Sequence, residues 1–125
     1  MKIHHIGIAC SNIEEAITEF GKFHTIVRRT ETIFDELQHA MLCMVYTDTG
    51  LDVEFVAGDQ VTRLVKKGMT YYHLCYQVMD LEAQISDCLE KGAMMISEPK
   101  PAVLFGGKRV AFVYMPYGLV EFLEQ

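Results

Sequence analysis

Strand-length apolar segments alternate along the chain with two stretches of helical period. Ser11-Asn12-Ile13-Glu14 reads as a capping-box start, and Ile13, Ala16, Ile17 and Phe20 recur at helical spacing to make one apolar stripe. Asp80 is placed to cap a second helix with the stripe Leu81, Ile85, Cys88 and Leu89, and Gly92 is placed to end it. Strands are expected to open at His5-Ile6-Gly7-Ile8 and His73-Leu74-Cys75-Tyr76. Further strand character runs over residues 24–29 and 37–46 in the first half and 93–97 and 109–114 in the second. Residues 59–69 form a polar connection with room for a short helical turn. Residues 99–107 form a loop punctuated by proline and glycine and long enough to act as a lid.

The two halves follow one plan. Each ends on a related segment, Gly50-Leu51-Asp52-Val53-Glu54-Phe55 and Gly118-Leu119-Val120-Glu121-Phe122. The histidine that opens a half and the glutamate that closes it are 49 positions apart in the first and 48 in the second. Each half therefore reads β-α-β-β-β, and the chain reads as a duplication of about residues 1–58 and 70–125 within one domain.

Side-chain alternation then separates these residues from their neighbours. His5 shares a strand face with Ile3, Gly7 and Ala9, and His73 with Tyr71, Cys75 and Gln77. Glu121 lies between Leu119 and Leu123 on one face while Val120 and Phe122 fill the other, and Glu54 sits between Val53 and Phe55. An ionised carboxylate in such a strand costs several kcal/mol to bury without a partner, even after relaxation. One histidine or one glutamate on a strand is ordinarily structural, but both types at matching places in both halves point to one site. His5, Glu54, His73 and Glu121 make a mixed nitrogen–oxygen set suited to a borderline divalent ion such as Ni, Co, Zn, Fe or Mn. His4, His24 and His39 have no echo in the other half and read as structural.

Composition narrows the function classes. Half the residues are hydrophobic and 22% are charged, the balance of a globular chain. A net charge of -6 argues against a nucleic-acid partner. No run is of membrane length, and Met1-Lys2-Ile3-His4-His5 lacks the apolar core of a signal peptide, so a cytoplasmic protein with no membrane partner is expected. Cys10, Cys43, Cys75 and Cys88 show no CxxC spacing and read as thiols in a reducing compartment. The basic doublets Lys66-Lys67 and Lys108-Arg109 are surface pairs or holders of a carboxylate or phosphate of an anionic small substrate. Tyr71, Tyr72, Phe105 and Tyr117 read mostly as core, with Phe105-Gly106-Gly107 suited to a closing lid.

At these residues the chain resembles the vicinal oxygen chelate superfamily, which includes glyoxalase I (lactoylglutathione lyase) and methylmalonyl-CoA epimerase. The resemblance rests on His5-Ile6-Gly7-Ile8-Ala9, Val53-Glu54-Phe55-Val56, Tyr72-His73-Leu74-Cys75-Tyr76 and the closing segment from Lys108 to Glu124. It implies an α+β fold of two tandem βαβββ modules forming a cupped mixed sheet, with His5, Glu54, His73 and Glu121 as ligands of one divalent ion, Ni, Co or Zn. The implied chemistry is proton abstraction to an enediolate by Glu121 as base, with Glu54 able to serve on the opposite face. The implied substrate is a small thiol adduct or thioester, and a homodimer is expected. Three functions fit: a glyoxalase I-type isomerase or lyase, a methylmalonyl-CoA epimerase-like enzyme, and a metal-free drug-binding protein. The epimerase reading expects a further acid on a first-half strand, and residues 38–45 carry none.

Overall fold

A computed structural model describes residues 1–125 as nine strands and three α-helices, the mixed α+β class expected. The chain falls into two compact units, His5–Tyr72 and Met1–His4 with His73–Gln125.

β1 (Lys2–Ala9), which enters the first unit at His5, leads into α1 (Ile13–Phe20), followed by β2 (Ile26–Arg29), β3 (Ile33–Asp35), β4 (Ala40–Thr47), β5 (Asp52–Gly58) and α2 (Asp59–Lys66). The strands lie in the order β2-β4-β5-β1, with β3 also paired to β4. β1 runs parallel to β5, while β4 pairs antiparallel with β2, β3 and β5. Ile13 and Ile17 of α1 pack on Cys43, Val45, Val53 and Phe55, which covers one sheet face.

The second unit holds β6 (Tyr71–Val78), α3 (Leu81–Glu90), β7 (Met94–Pro101), β8 (Arg109–Met115) and β9 (Gly118–Glu124), in the order β6-β9-β8-β7. β6 runs parallel to β9, and β8 pairs antiparallel with both β9 and β7. Leu81, Ile85 and Cys88 of α3 bury Ala111, Val113, Val120 and Phe122 on one face.

Several local expectations need correction. The cap of α1 is Asn12, not Ser11: its side chain accepts the backbone N–H of Glu15 at 3.0 Å. Glu14 turns instead to Arg29, at 2.8 and 2.9 Å. Replacing Asn12 by Ala should therefore cost about 1 kcal/mol in a urea titration, while Ser11→Ala leaves the midpoint unchanged. Asp80 caps α3 as expected, accepting from the N–H of Ala83 at 3.0 Å.

The first half carries one strand more than its plan, because Ile33–Asp35 folds back on β4 through a turn in which His39 has φ 49°. Residues 59–66 form a full helix rather than a turn. It leaves β5 at Gly58, where φ is 134° and a Cβ would meet the His39 carbonyl at 2.9 Å. Residues 99–107 do not make an open lid. Pro99 and Pro101 belong to β7, the last strand of its unit, where proline's missing donor is tolerated. The rest is a tight 3-10 turn, Val103–Phe105, closed by bonds from Phe105 and Gly107 to the Ala102 carbonyl. Phe105 packs beside Cys75, Ala102, Val110 and Leu123.

Candidate functional site

Each unit buries a histidine against a glutamate on the sheet face opposite the one covered by α1 or α3. In the first unit Val53 and Phe55 point to α1, so Glu54 points the other way. Its partner in register on β1 is Gly7, and His5 is the next residue on the same face. In the second unit Val120 and Phe122 point to α3, and Glu121 stands in register with Cys75, with His73 again two residues back. The same offset across a parallel strand pair thus recurs in both halves.

The distances follow from that offset. His5 Nε2 lies 3.7 Å from Glu54 Oε1, and His73 Nε2 lies 3.1 Å from Glu121 Oε1. All four residues are buried, with exposures of 1% for His5, 4% for Glu54, 5% for His73 and 2% for Glu121. Two donors bound to one ion at about 2.1 Å stand roughly 3.0–3.5 Å apart at angles between octahedral and tetrahedral. The 3.1 Å pair falls in that range and the 3.7 Å pair lies just outside it, so each pair fits two ligands of a divalent ion with small adjustment.

Apolar side chains wall both pairs. The residue in register with Glu54 on β4 is Met44, fully buried, and the residue in register with Glu121 on β8 is Phe112. The Phe112 ring meets the His73 ring edge-on at 5.5 Å between centroids, which fixes the plane of the imidazole.

The remaining singled-out residues divide clearly. His24 stacks on Phe20 at 4.3 Å and His4 meets Phe105 edge-on at 5.4 Å. Tyr71 is exposed, Tyr72 reaches Gln60 at 3.4 Å, and Tyr117 pairs its hydroxyl with that of Tyr76 at 3.5 Å. Burial and the Tyr76 hydroxyl together push the Tyr117 phenol up to about 12, with the hydrogen bond the larger cause. All four cysteines are free thiols, and burial raises that of Cys10 to about 11. No helix is long and apolar enough to cross a membrane.

Of the basic doublets, Lys108-Arg109 loses its arginine to structure. Arg109 binds Glu82 at 2.7 Å and Glu124 at 3.2 Å, and these carboxylates hold its guanidinium well above the ordinary arginine range. Sequence reasoning missed a third doublet, Arg28-Arg29. Arg29 binds Glu14 of α1, while Arg28 lies on the opposite face with its guanidinium carbon 3.9 Å above the ring of Tyr46. The doublet stands in the sequence, but the face each arginine takes is set by a bulge between Ile26 and Arg28.

Comparison with known proteins shows the family and the fold. The model of the Glyoxalase/Bleomycin resistance protein/Dioxygenase superfamily matches residues 4–112. No curated protein matches the chain. Among solved structures, a hypothetical protein from Bacillus halodurans C-125 is 23% identical with a TM-score of 0.77, over 99% of this chain and 94% of that one. Methylmalonyl-CoA epimerase from Mycobacterium tuberculosis is 19% identical with a TM-score of 0.80, over 98% of this chain and 87% of that one. A second methylmalonyl-CoA epimerase is 21% identical with a TM-score of 0.76, over 99% of this chain and 94% of that one. At these identities the likeness is one of fold.

Proposed function

Because the chain belongs to the Glyoxalase/Bleomycin resistance protein/Dioxygenase superfamily, whose members are mostly metal-dependent enzymes, we propose that it is a divalent-metal isomerase or lyase of the glyoxalase I type. The observation that carries this reading is the buried histidine–glutamate pair repeated at one register offset in both units. His5, Glu54, His73 and Glu121 would together hold one ion, Ni, Co or Zn, and residues 1–125 would work as a single domain. The two buried carboxylates carry a formal charge of -2, which a divalent cation held by all four residues would neutralise without leaving a charge buried alone.

When bound, the ion supplies Lewis acidity to substrate oxygens. The protein's own groups do the rest. Glu121 accepts the proton from the carbon beside the substrate carbonyl and returns it to the neighbouring carbon, an isomerisation that needs one mobile carboxylate. Phe112 keeps the His73 ring in its plane and excludes water from that side. Glu54, the matching acid of the first unit, is the reserve base.

Support for isomerisation over epimerisation comes from the first unit. Its β4 places Leu42, Met44 and Tyr46 on the face shared with Glu54, and none is an acid. Of the acids that precede β4, Asp35 is engaged by its own turn. It accepts from the N–H groups of Leu37 and Gln38 at 2.9 and 3.3 Å and from the Gln38 amide at 3.1 Å. The proposed substrate is a small thiol hemithioacetal, and the proposed assembly is a homodimer, common in the superfamily.

Metal analysis and turnover test the reading together. Purified protein should hold one divalent ion per chain and, after reconstitution with nickel, cobalt or zinc, should isomerise the methylglyoxal–glutathione hemithioacetal. Turnover of methylmalonyl-CoA in its place would transfer the reading to an epimerase. Protein that binds no metal would overturn it.

A further inference from the structure

Arg28 is a cation on the site face of the first unit that the proposed chemistry leaves unused. Its place there depends on an irregularity. Ile26 packs into the core beneath α1, and in a regular strand Arg28 would follow it onto that face. A bulge between Ile26 and Arg28 shifts the register, so that Arg28 pairs with Tyr46 and Arg29 with Val45. Arg29 thereby goes to Glu14 on the helix side, and Arg28 goes to the face of Tyr46, Met44 and Glu54.

On that face Arg28 has an aromatic partner and no carboxylate partner. Its guanidinium carbon lies 3.9 Å from the centroid of the Tyr46 ring, whereas Arg29 and Arg109 are each tied to glutamates. A guanidinium stacked by its flat face keeps its N–H edge open, and that edge matches a carboxylate or phosphate with two parallel hydrogen bonds. Two strand spacings and two residues of rise separate Arg28 from Glu54, a backbone distance of about 12 Å. The chain's net charge of -6, with Asp52 in register beside Tyr46, makes this face hostile to an anionic substrate unless a cation compensates locally.

We infer that Arg28, held on Tyr46, is a specificity-determining residue that anchors a carboxylate or phosphate of the substrate roughly 10 Å from the reacting atoms. The inference rests on the site reading given above and names the substrate class, a thiol adduct with a remote anionic group. Arg28 touches the far end of the substrate, so it governs affinity and leaves the chemical step alone.

Calorimetric titration of the metal-reconstituted protein with S-methylglutathione, whose anions are carboxylates, and with coenzyme A, whose anions are phosphates, tests this directly. Wild type should bind one of them, which identifies the source of the anion, and Arg28→Gln should weaken that binding about tenfold or more. Arg28→Lys, which keeps the charge but not the fork, should fall between. With the matching substrate, KM should rise by the same factor at unchanged kcat, and the hemithioacetal of neutral 2-mercaptoethanol should show no difference. Equal affinity in wild type and Arg28→Gln, or wild type binding neither probe, would overturn the inference. Metal content and turnover of the same wild-type samples judge the site reading separately, since Arg28 is exposed and its loss should change neither metal content nor melting temperature.

Discussion

Glu121→Gln should lower kcat by about 10²- to 10⁴-fold, the range that a positioned general base contributes. The substitution keeps the volume and planar shape of a side chain that is 2% exposed, so the core against Leu123 and Phe112 stays filled. What it removes is the ability to take a proton. An amide oxygen remains available as a weak ligand, and KM should move only a few-fold. Steady-state kinetics beside metal analysis of the same sample decide the outcome. Full turnover with metal retained would show that Glu121 is not the base, and the same measurement on Glu54→Gln would then locate it. The two acids are not equivalent in the structure. Glu121 lies 3.1 Å from its histidine and Glu54 3.7 Å from its own, and an aromatic ring edge holds His73 in place. The tighter pair carries the larger expected effect.

Much of this arrangement was legible from side-chain alternation. Val53 and Phe55, with Val120 and Phe122, had to point at a helix. Glu54 and Glu121 therefore had to point away from it, and the structure places all six that way. The amphipathic helices α1 and α3 were legible for the same reason, since their stripes are set by period alone. Features set by register or by a single backbone angle were not. The cap of α1 moved one residue because both Ser11 and Asn12 are good cap formers, and only the chain path selects between them. β3 is three residues long and exists because the turn before β4 closes at His39 with positive φ. The segment at Pro99 read as loop because proline usually breaks a ladder, a rule that fails on an outer strand. Arg28 escaped notice for a related reason, as a bulge reversed the face that strict alternation from Ile26 would have assigned.

Removal of the metal should lower the melting temperature by about 10–20 °C. A ligand that binds only the folded state stabilises it by about 4 kcal/mol when its free concentration is a thousand times Kd. For a domain of this size each kcal/mol is worth roughly 3–5 °C. The same experiment can tell one shared ion from two separate ones. If His5, Glu54, His73 and Glu121 serve a single ion, then His5→Ala and His73→Ala should each lose most of the bound metal, although they lie in different halves. Each should then melt at a temperature that chelator no longer changes. If each half held its own ion, wild type would carry two per chain, and either variant would keep one together with half of the chelator-sensitive stability. Alanine also leaves a space and strips a buried glutamate of its neighbour, so the raw melting temperature of a variant mixes two effects. The difference between its values with and without chelator cancels the second effect. It is that difference, read for both histidines, which decides whether the duplicated halves share their chemistry.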